Sequence, residues 1–184
     1  LRCPACGQEL SYFDHAMSRD PAAFHKRILC PHCRRVHRVE DLPFVTEPHW
    51  DPLLRREIVR KKRVPAWIYG STGGRNWDRR ATGADLEAVQ TFCANAPLTD
   101  TPKEIQWGEL HRGGYHFGIT HLHHFYTDRN YMVMSRLWAL AGQFPERQAG
   151  ALKLLLLSYN ATHCTLMTRV VAKKNSRDFA LTGA

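Results

Sequence analysis

Cys3-Pro4-Ala5-Cys6-Gly7 opens the chain, and Cys30-Pro31-His32-Cys33 answers it. Two Cys-x-x-Cys corners in this relation read as one tetrahedral zinc site with four thiolate ligands, Cys3, Cys6, Cys30 and Cys33. Two residues between the cysteines let a tight turn aim both sulfurs at one ion. Pro4 and Pro31 restrain φ, and Gly7 supplies the positive φ with which the chain leaves such a knuckle. Four protein ligands leave no coordination position for a substrate water, so the zinc is structural. His15, His32 and His37 lie near enough to substitute for a cysteine, but four cysteines in register leave them out. Cys93 and Cys164 stand apart and read as free, buried thiols. Disulfides are the competing use of the four; with no signal peptide in view, the expectation is zinc in a cytoplasmic protein. A module this small offers almost no apolar core, so its fold should depend on the metal.

Working outward, 184 residues that are 43% hydrophobic and 23% charged suit one domain or two small ones. No apolar run approaches the ~20 residues of a membrane span, so no membrane partner is expected. The net charge of +9 favours a polyanion, with nucleic acid first. Because the sequence starts at Leu1 and almost on a zinc ligand, it reads as a piece of a longer protein.

Three segments are expected, α+β in class. Residues 1–44 form the zinc ribbon, with strands at Leu10–Phe13, Lys26–Leu29 and Val36–Val39 and a loop over 14–24. Residues 45–96 form a basic β-hairpin plus a helix. Thr46–Pro52 reads as a turn-rich connector in which Asp51 caps a short helix and Pro52 is its first residue. The cations Arg55, Arg56, Arg60, Lys61, Lys62 and Arg63 follow, then strands at Val64–Tyr69 and Asn76–Ala81 joined through Gly73-Gly74. Alternation sets Ala66, Ile68 and Gly70 on one face and Trp67 and Tyr69 on the other. Arg75, Arg79 and Arg80 continue the charge. Cations interleaved with aromatics suit phosphate contact and base stacking, a solvated face being the plainer alternative. Thr82 or Asp85 caps a helix to about Asn95.

Residues 97–184 are expected to be a His-rich loop and a small helical core. The stretch 97–120 is irregular and holds Trp107, Tyr115 and Phe117. One helix runs from Asp128 to Gly142 with Tyr131, Met134, Trp138 and Ala141 on one side. Pro145 starts another, apolar nearly all round, which predicts that it is sandwiched. Its helical pattern continues to about Ala172, and Lys173–Arg177 is a basic exit.

The second distinctive stretch runs Gly118-Ile119-Thr120-His121-Leu122-His123-His124-Phe125-Tyr126-Thr127-Asp128-Arg129-Asn130. His121, His123 and His124 at the head of a helix can hold a metal, act as a base or donate to phosphate. They can equally be packed and hydrogen-bonded there. Paired histidines followed by Asn130 also suggest a His-metal nuclease, but that needs another metal-binding histidine, and His163 is the only one downstream. No nucleophile setting, paired-carboxylate motif or dinucleotide fingerprint is visible. The residues expected to touch nucleic acid are therefore Arg55, Arg56, Arg60, Lys61, Lys62, Arg63, Arg75, Arg79, His121, His123 and His124. A zinc-stabilised protein-interaction module, with its surface near 97–120, is the remaining alternative.

The paired knuckles, the basic stretch entering Arg63-Val64-Pro65, the strand with Ile68 and Tyr69, the histidine box and its Leu137-Trp138 helix occur in one order. That order resembles the zinc-containing insert of bacterial S-adenosylmethionine-dependent DNA methyltransferases, which modify an exocyclic amino group of adenine or cytosine. The likeness spans roughly residues 1 to 142, and the histidine box is its most specific part. In that family a Phe-x-Gly-x-Gly loop holds S-adenosylmethionine, and an Asp-Pro-Pro-Tyr/Phe element holds the target amino group. Here Asp20-Pro21-Ala22-Ala23 and Asp51-Pro52-Leu53-Leu54 lack the second proline and the aromatic. The resemblance implies a DNA-binding or target-recognition domain between the donor site and the catalytic motif. Its partners would be DNA and the catalytic domain of the same chain. It would not be catalytic alone.

Overall fold

The computed structural model describes residues 1–95, 98, 100–106, 118–160, 169–172 and 179–182, without the side chains of 169, 170 and 179–182. The class is α+β, built of small antiparallel hairpins and helices.

Sulfur convergence gathers the first 45 residues. Helix α1 (Tyr12–Ala16) replaces the strand expected at Leu10–Phe13, because the Ser11 hydroxyl accepts the Asp14 N–H at 3.2 Å and caps a helical turn. The loop expected over 14–24 instead folds back as a hairpin of β1 (Met17–Arg19) and β2 (Ala22–Phe24). The strands β3 (Arg27–Leu29) and β4 (Val36–Arg38) pair with Leu29 opposite Val36, as the knuckle reading requires. Leu10, Ala16, Ile28 and Leu42 pack with Cys3 and Cys30 into one buried cluster, and Leu1 and Val39 lean on it. The module thus has an apolar core of its own, contrary to expectation.

The expected connector at 46–52 is a strand. β5 (Thr46–Asp51) pairs with β6 (Arg56–Lys61), with Glu47 opposite Arg60 and His49 opposite Ile58. Asp51 does cap: its Oδ1 accepts the Leu53 and Leu54 N–H groups at 3.0 and 2.9 Å. The chain then turns back through Arg55 at φ +52° rather than entering a helix. Next come β7 (Trp67–Thr72) and β8 (Arg75–Arg80), joined through Gly73 and Gly74, both at positive φ as a two-residue hairpin loop demands. The Trp77 ring lies over Gly70, where an added Cβ would sit 2.1 Å from the ring. Helix α2 (Gly83–Asn95) follows, and Asp85 accepts both the N–H and the hydroxyl of Thr82 at 2.8 Å.

Residues 103–105 run against 120–122, with Ile105 donating to Thr120 and Leu122 to Lys103. A 3₁₀ turn (Leu122–Phe125) leads into α3 (Asp128–Ala141), whose N-cap Thr127 accepts the Asn130 N–H at 3.3 Å. Met132 and Ala141 are its buried residues, while Trp138 remains 41% exposed under the Lys153 ammonium. Helix α4 (Glu146–Tyr159) packs on α3, and the expected sandwich is not seen among the described residues: Leu154 is 69% exposed, and Leu155, Leu157 and Tyr159 are also exposed. The helix expected to continue to about Ala172 gives way to β9 (Arg169–Ala172), paired with β10 (Phe179–Thr182) and passing beside β2. The β-branched pair Val170-Val171 favours the extended form. Trp107, Tyr115, Phe117, Cys164, His163 and Lys173–Arg177 lie outside the described residues. No helix among those described is long and apolar enough to cross a membrane.

Candidate metal centre and the aspartate-histidine cluster

Cys3, Cys6, Cys30 and Cys33 bring their sulfurs within 4.8 Å of one another, with 3.7 Å between Cys3 and Cys33 and between Cys6 and Cys30. Each knuckle is closed by one amide: Gly7 donates to the Cys3 carbonyl at 2.8 Å and Arg34 to the Cys30 carbonyl at 3.0 Å. Gly7 stands at φ +74° and Arg34, in the equivalent position, at φ +60°. Backbone N–H groups of Cys33 and His32 aim at the Cys30 sulfur and draw its thiol down to about 6. At Cys6 the Gln8 backbone pulls down, but desolvation and the neighbouring sulfurs outweigh it and push the thiol up to about 12. Four sulfurs this close cannot all ionise unaided; a divalent cation of thiolate preference satisfies them together. The donor set therefore fits structural zinc. His37 adds a contact that the spacing of the cysteines did not disclose, its Nε2 lying 3.4 Å from the Cys3 sulfur. That is a hydrogen-bond position of the kind that holds a ligand in place.

A second cluster joins segments far apart in sequence. Along β5, Glu47, His49 and Asp51 turn inward while Trp50 faces out, 61% exposed. Asp51 is 1% exposed. Its Oδ2 accepts from His123 Nε2 at 2.9 Å and His124 Nε2 at 2.8 Å, and both imidazole side chains are nine-tenths buried. The Thr120 N–H donates to His124 Nδ1 at 3.1 Å, which leaves the proton of the neutral ring on Nε2, toward the carboxylate. Burial pushes the Asp51 carboxyl up. The Leu54 N–H and the two imidazoles outweigh that and hold it well below the usual carboxylate range. Burial also depresses His124, and His121 beside it. Gly118, at φ +84°, brings the box close to β6: an added Cβ would meet the Val59 carbonyl at 3.2 Å. Nearby, Arg60 binds both oxygens of Asp128 at 3.0 and 3.1 Å and reaches Glu47 at 3.3 Å, so β6 is tied to the first turn of α3.

The expected nucleic-acid residues divide. His123 and His124 are committed to Asp51, while His121 bonds the Thr120 hydroxyl at 2.9 Å. Arg60 pairs with Asp128 and Glu47, Lys62 with Glu9, and Arg79 with Asp85 through two bonds of 2.7 Å. Lys61 lies on the Phe44 ring at 4.0 Å, and Arg63 lines the cleft beside His123. Arg55, Arg56 and Arg75 are exposed and make no ion pair among the described residues. Neither do Lys26, Arg27, Arg34 and Arg35, exposed cations of the four-cysteine module that sequence reasoning passed over. Trp67 is used inside the molecule: Phe13 stacks on it at 5.8 Å, and the Arg19 guanidinium sits 4.1 Å from its centre. Asn130, the nuclease candidate, accepts from the Arg129 side chain.

No protein-family model, curated protein or solved structure matches this chain. The functional reading rests on the residues themselves.

Proposed function

We propose that the chain is a zinc-stabilised, DNA-contacting domain of an S-adenosylmethionine-dependent DNA methyltransferase, set between its methyl-donor site and its catalytic motif. The domain holds structural zinc at Cys3, Cys6, Cys30 and Cys33. Donor binding and methyl transfer belong to the catalytic domain of the parent chain, a cytoplasmic enzyme. A methyltransferase that extracts its target base needs a separate surface to hold the flanking duplex.

One observation carries this reading: exposed cations with no carboxylate partner among the described residues, namely Lys26, Arg27, Arg34 and Arg35 on the four-cysteine module and Arg55, Arg56 and Arg75 at two hairpin turns. Cations already neutralised by a carboxylate release few counterions from DNA, whereas unpaired ones contribute fully to the salt dependence. The test is the affinity for a DNA duplex as a function of salt. Joint replacement of Arg34, Arg35, Arg55 and Arg56 by alanine should weaken binding and flatten the slope of log K against log salt, by about 0.9 for each phosphate no longer neutralised. Arg79→Ala should leave the slope unchanged, since its guanidinium is held by Asp85. An unchanged slope in the quadruple variant would refute the reading.

The exposed leucines of α4 favour a second reading, an interaction module whose partner is protein. It predicts no DNA affinity at moderate salt.

A further inference from the structure

We propose that Asp51, His123 and His124 form a second metal site, distinct from the four cysteines, for a divalent transition ion of the zinc class. The inference is independent of the DNA-contacting reading.

Asp51 Oδ2, His123 Nε2 and His124 Nε2 all lie within 4.8 Å of one another, close enough for one ion to touch all three. Two imidazoles and one carboxylate suit a borderline transition ion better than magnesium or calcium, which favour all-oxygen sites. The remaining oxygen of the carboxylate ligand is already held: Asp51 Oδ1 accepts the Leu53 and Leu54 amides. Such outer contacts fix a ligand's direction before the ion arrives.

Metal binding requires a proton to move. Without metal, His124 donates its Nε2–H to Asp51. On binding, each Nε2 must turn its lone pair to the ion, so in both rings the proton passes to Nδ1. In His124 that ends the bond Nδ1 accepts from the Thr120 N–H, and the ring must turn to donate to the Thr120 hydroxyl oxygen, 3.3 Å away. His123 Nδ1 is buried with no partner among the described residues, so in either state it is left to a water or a ligand atom. That orphan is the second sign that the cluster is built for more than bolting the box to β5. The two backbone amides and two imidazoles already satisfy the buried carboxylate, and a purely structural joint would gain nothing from an unsatisfied ring nitrogen.

Access is provided by a narrow cleft, which Asp51, His123 and His124 line together with Lys61 and Arg63. Three protein ligands leave at least one coordination position open, unlike the closed set of four cysteines. An ion with one carboxylate keeps net positive charge, so the open position suits an oxygen ligand.

Co²⁺ titration of the full chain separates the two sites. Cobalt among four thiolates gives intense sulfur-to-metal charge transfer, whereas cobalt on nitrogen and oxygen gives only weak visible bands. The expected result is two equivalents per chain, the second without thiolate absorption. In the His123→Ala/His124→Ala double variant the second equivalent should disappear while the first is kept. Asp51→Asn, which retains acceptors for Leu53 and Leu54, should weaken it about tenfold or more. Saturation of the unaltered chain at one equivalent overturns the proposal whatever the variants do. So does a second equivalent that survives loss of both histidines.

Discussion

The four-cysteine module and the α3–α4 pair are held together in opposite ways. In the module, six buried residues form one continuous cluster around the sulfurs. In the helical pair Met132, Ala141 and Ala149 are the buried residues, while Val133, Leu137, Trp138, Leu140 and most of the α4 leucines are exposed. The helices are fixed to the rest of the molecule by polar bonds instead, with Arg60 on Asp128 and Asp51 on the histidine box. Helical periodicity does not by itself say where apolar surface is buried. Here the four-cysteine module concentrates it, and the regular helices display it.

Three experiments put pressure on that contrast. The largest effect should come from chelation. Stripping the metal from the cysteines should abolish amide protection across residues 1–42, because a structural zinc site contributes on the order of 10 kcal/mol to a small module. Protection in α3 and α4 should survive; its simultaneous loss would show that the two regions are one cooperative unit. Next is Asp51→Ala, which strands two backbone amides and two buried imidazoles. It should cost about 2–4 kcal/mol, read by denaturant unfolding, with exchange rising first at residues 120–126. A loss under about 1 kcal/mol would mean that the polar joint does not secure the box. The smallest effect is expected for Leu154→Lys, within about 0.5 kcal/mol of the unaltered chain, since that side chain lies mostly in solvent. A loss of several kcal/mol would place Leu154 in a buried setting and remove the contrast.

Much of this architecture could be read from the residues, for physical reasons that differ by element. The knuckles announce themselves because metal geometry fixes the spacing of the cysteines. Gly73-Gly74 and the caps Thr127 and Asp85 are local signals, each acting within three residues of itself. β5 was hidden because its alternation is inverted, with Glu47, His49 and Asp51 inward and Trp50 outward, so it lacks the apolar period that marks a strand. The core of the four-cysteine module was hidden too. Leu1, Leu10, Ala16, Ile28 and Leu42 are isolated in sequence, and only convergence of the sulfurs brings them together. The partnership of Asp51 with His123 and His124 spans more than seventy residues, and only the adjacent pair of histidines hinted that something polar would meet them. Likewise Arg60 and Arg79 count as cations in a composition, but the fold spends their charge on Asp128 and Asp85.

Gly7 and Arg34 hold the same station in two otherwise matching turns. A left-handed backbone costs an ordinary L-residue roughly 1–2 kcal/mol, and glycine would avoid it. The second turn nevertheless carries a guanidinium there, on a base pinned by the same amide that closes the loop onto Cys30. The knuckle thereby becomes a mounting for an arm: the turn that presents Cys30 and Cys33 also sets the direction in which this cation leaves the surface. A flexible lysine on a mobile loop would have to be ordered anew at each contact it made, whereas here part of that ordering is done during folding.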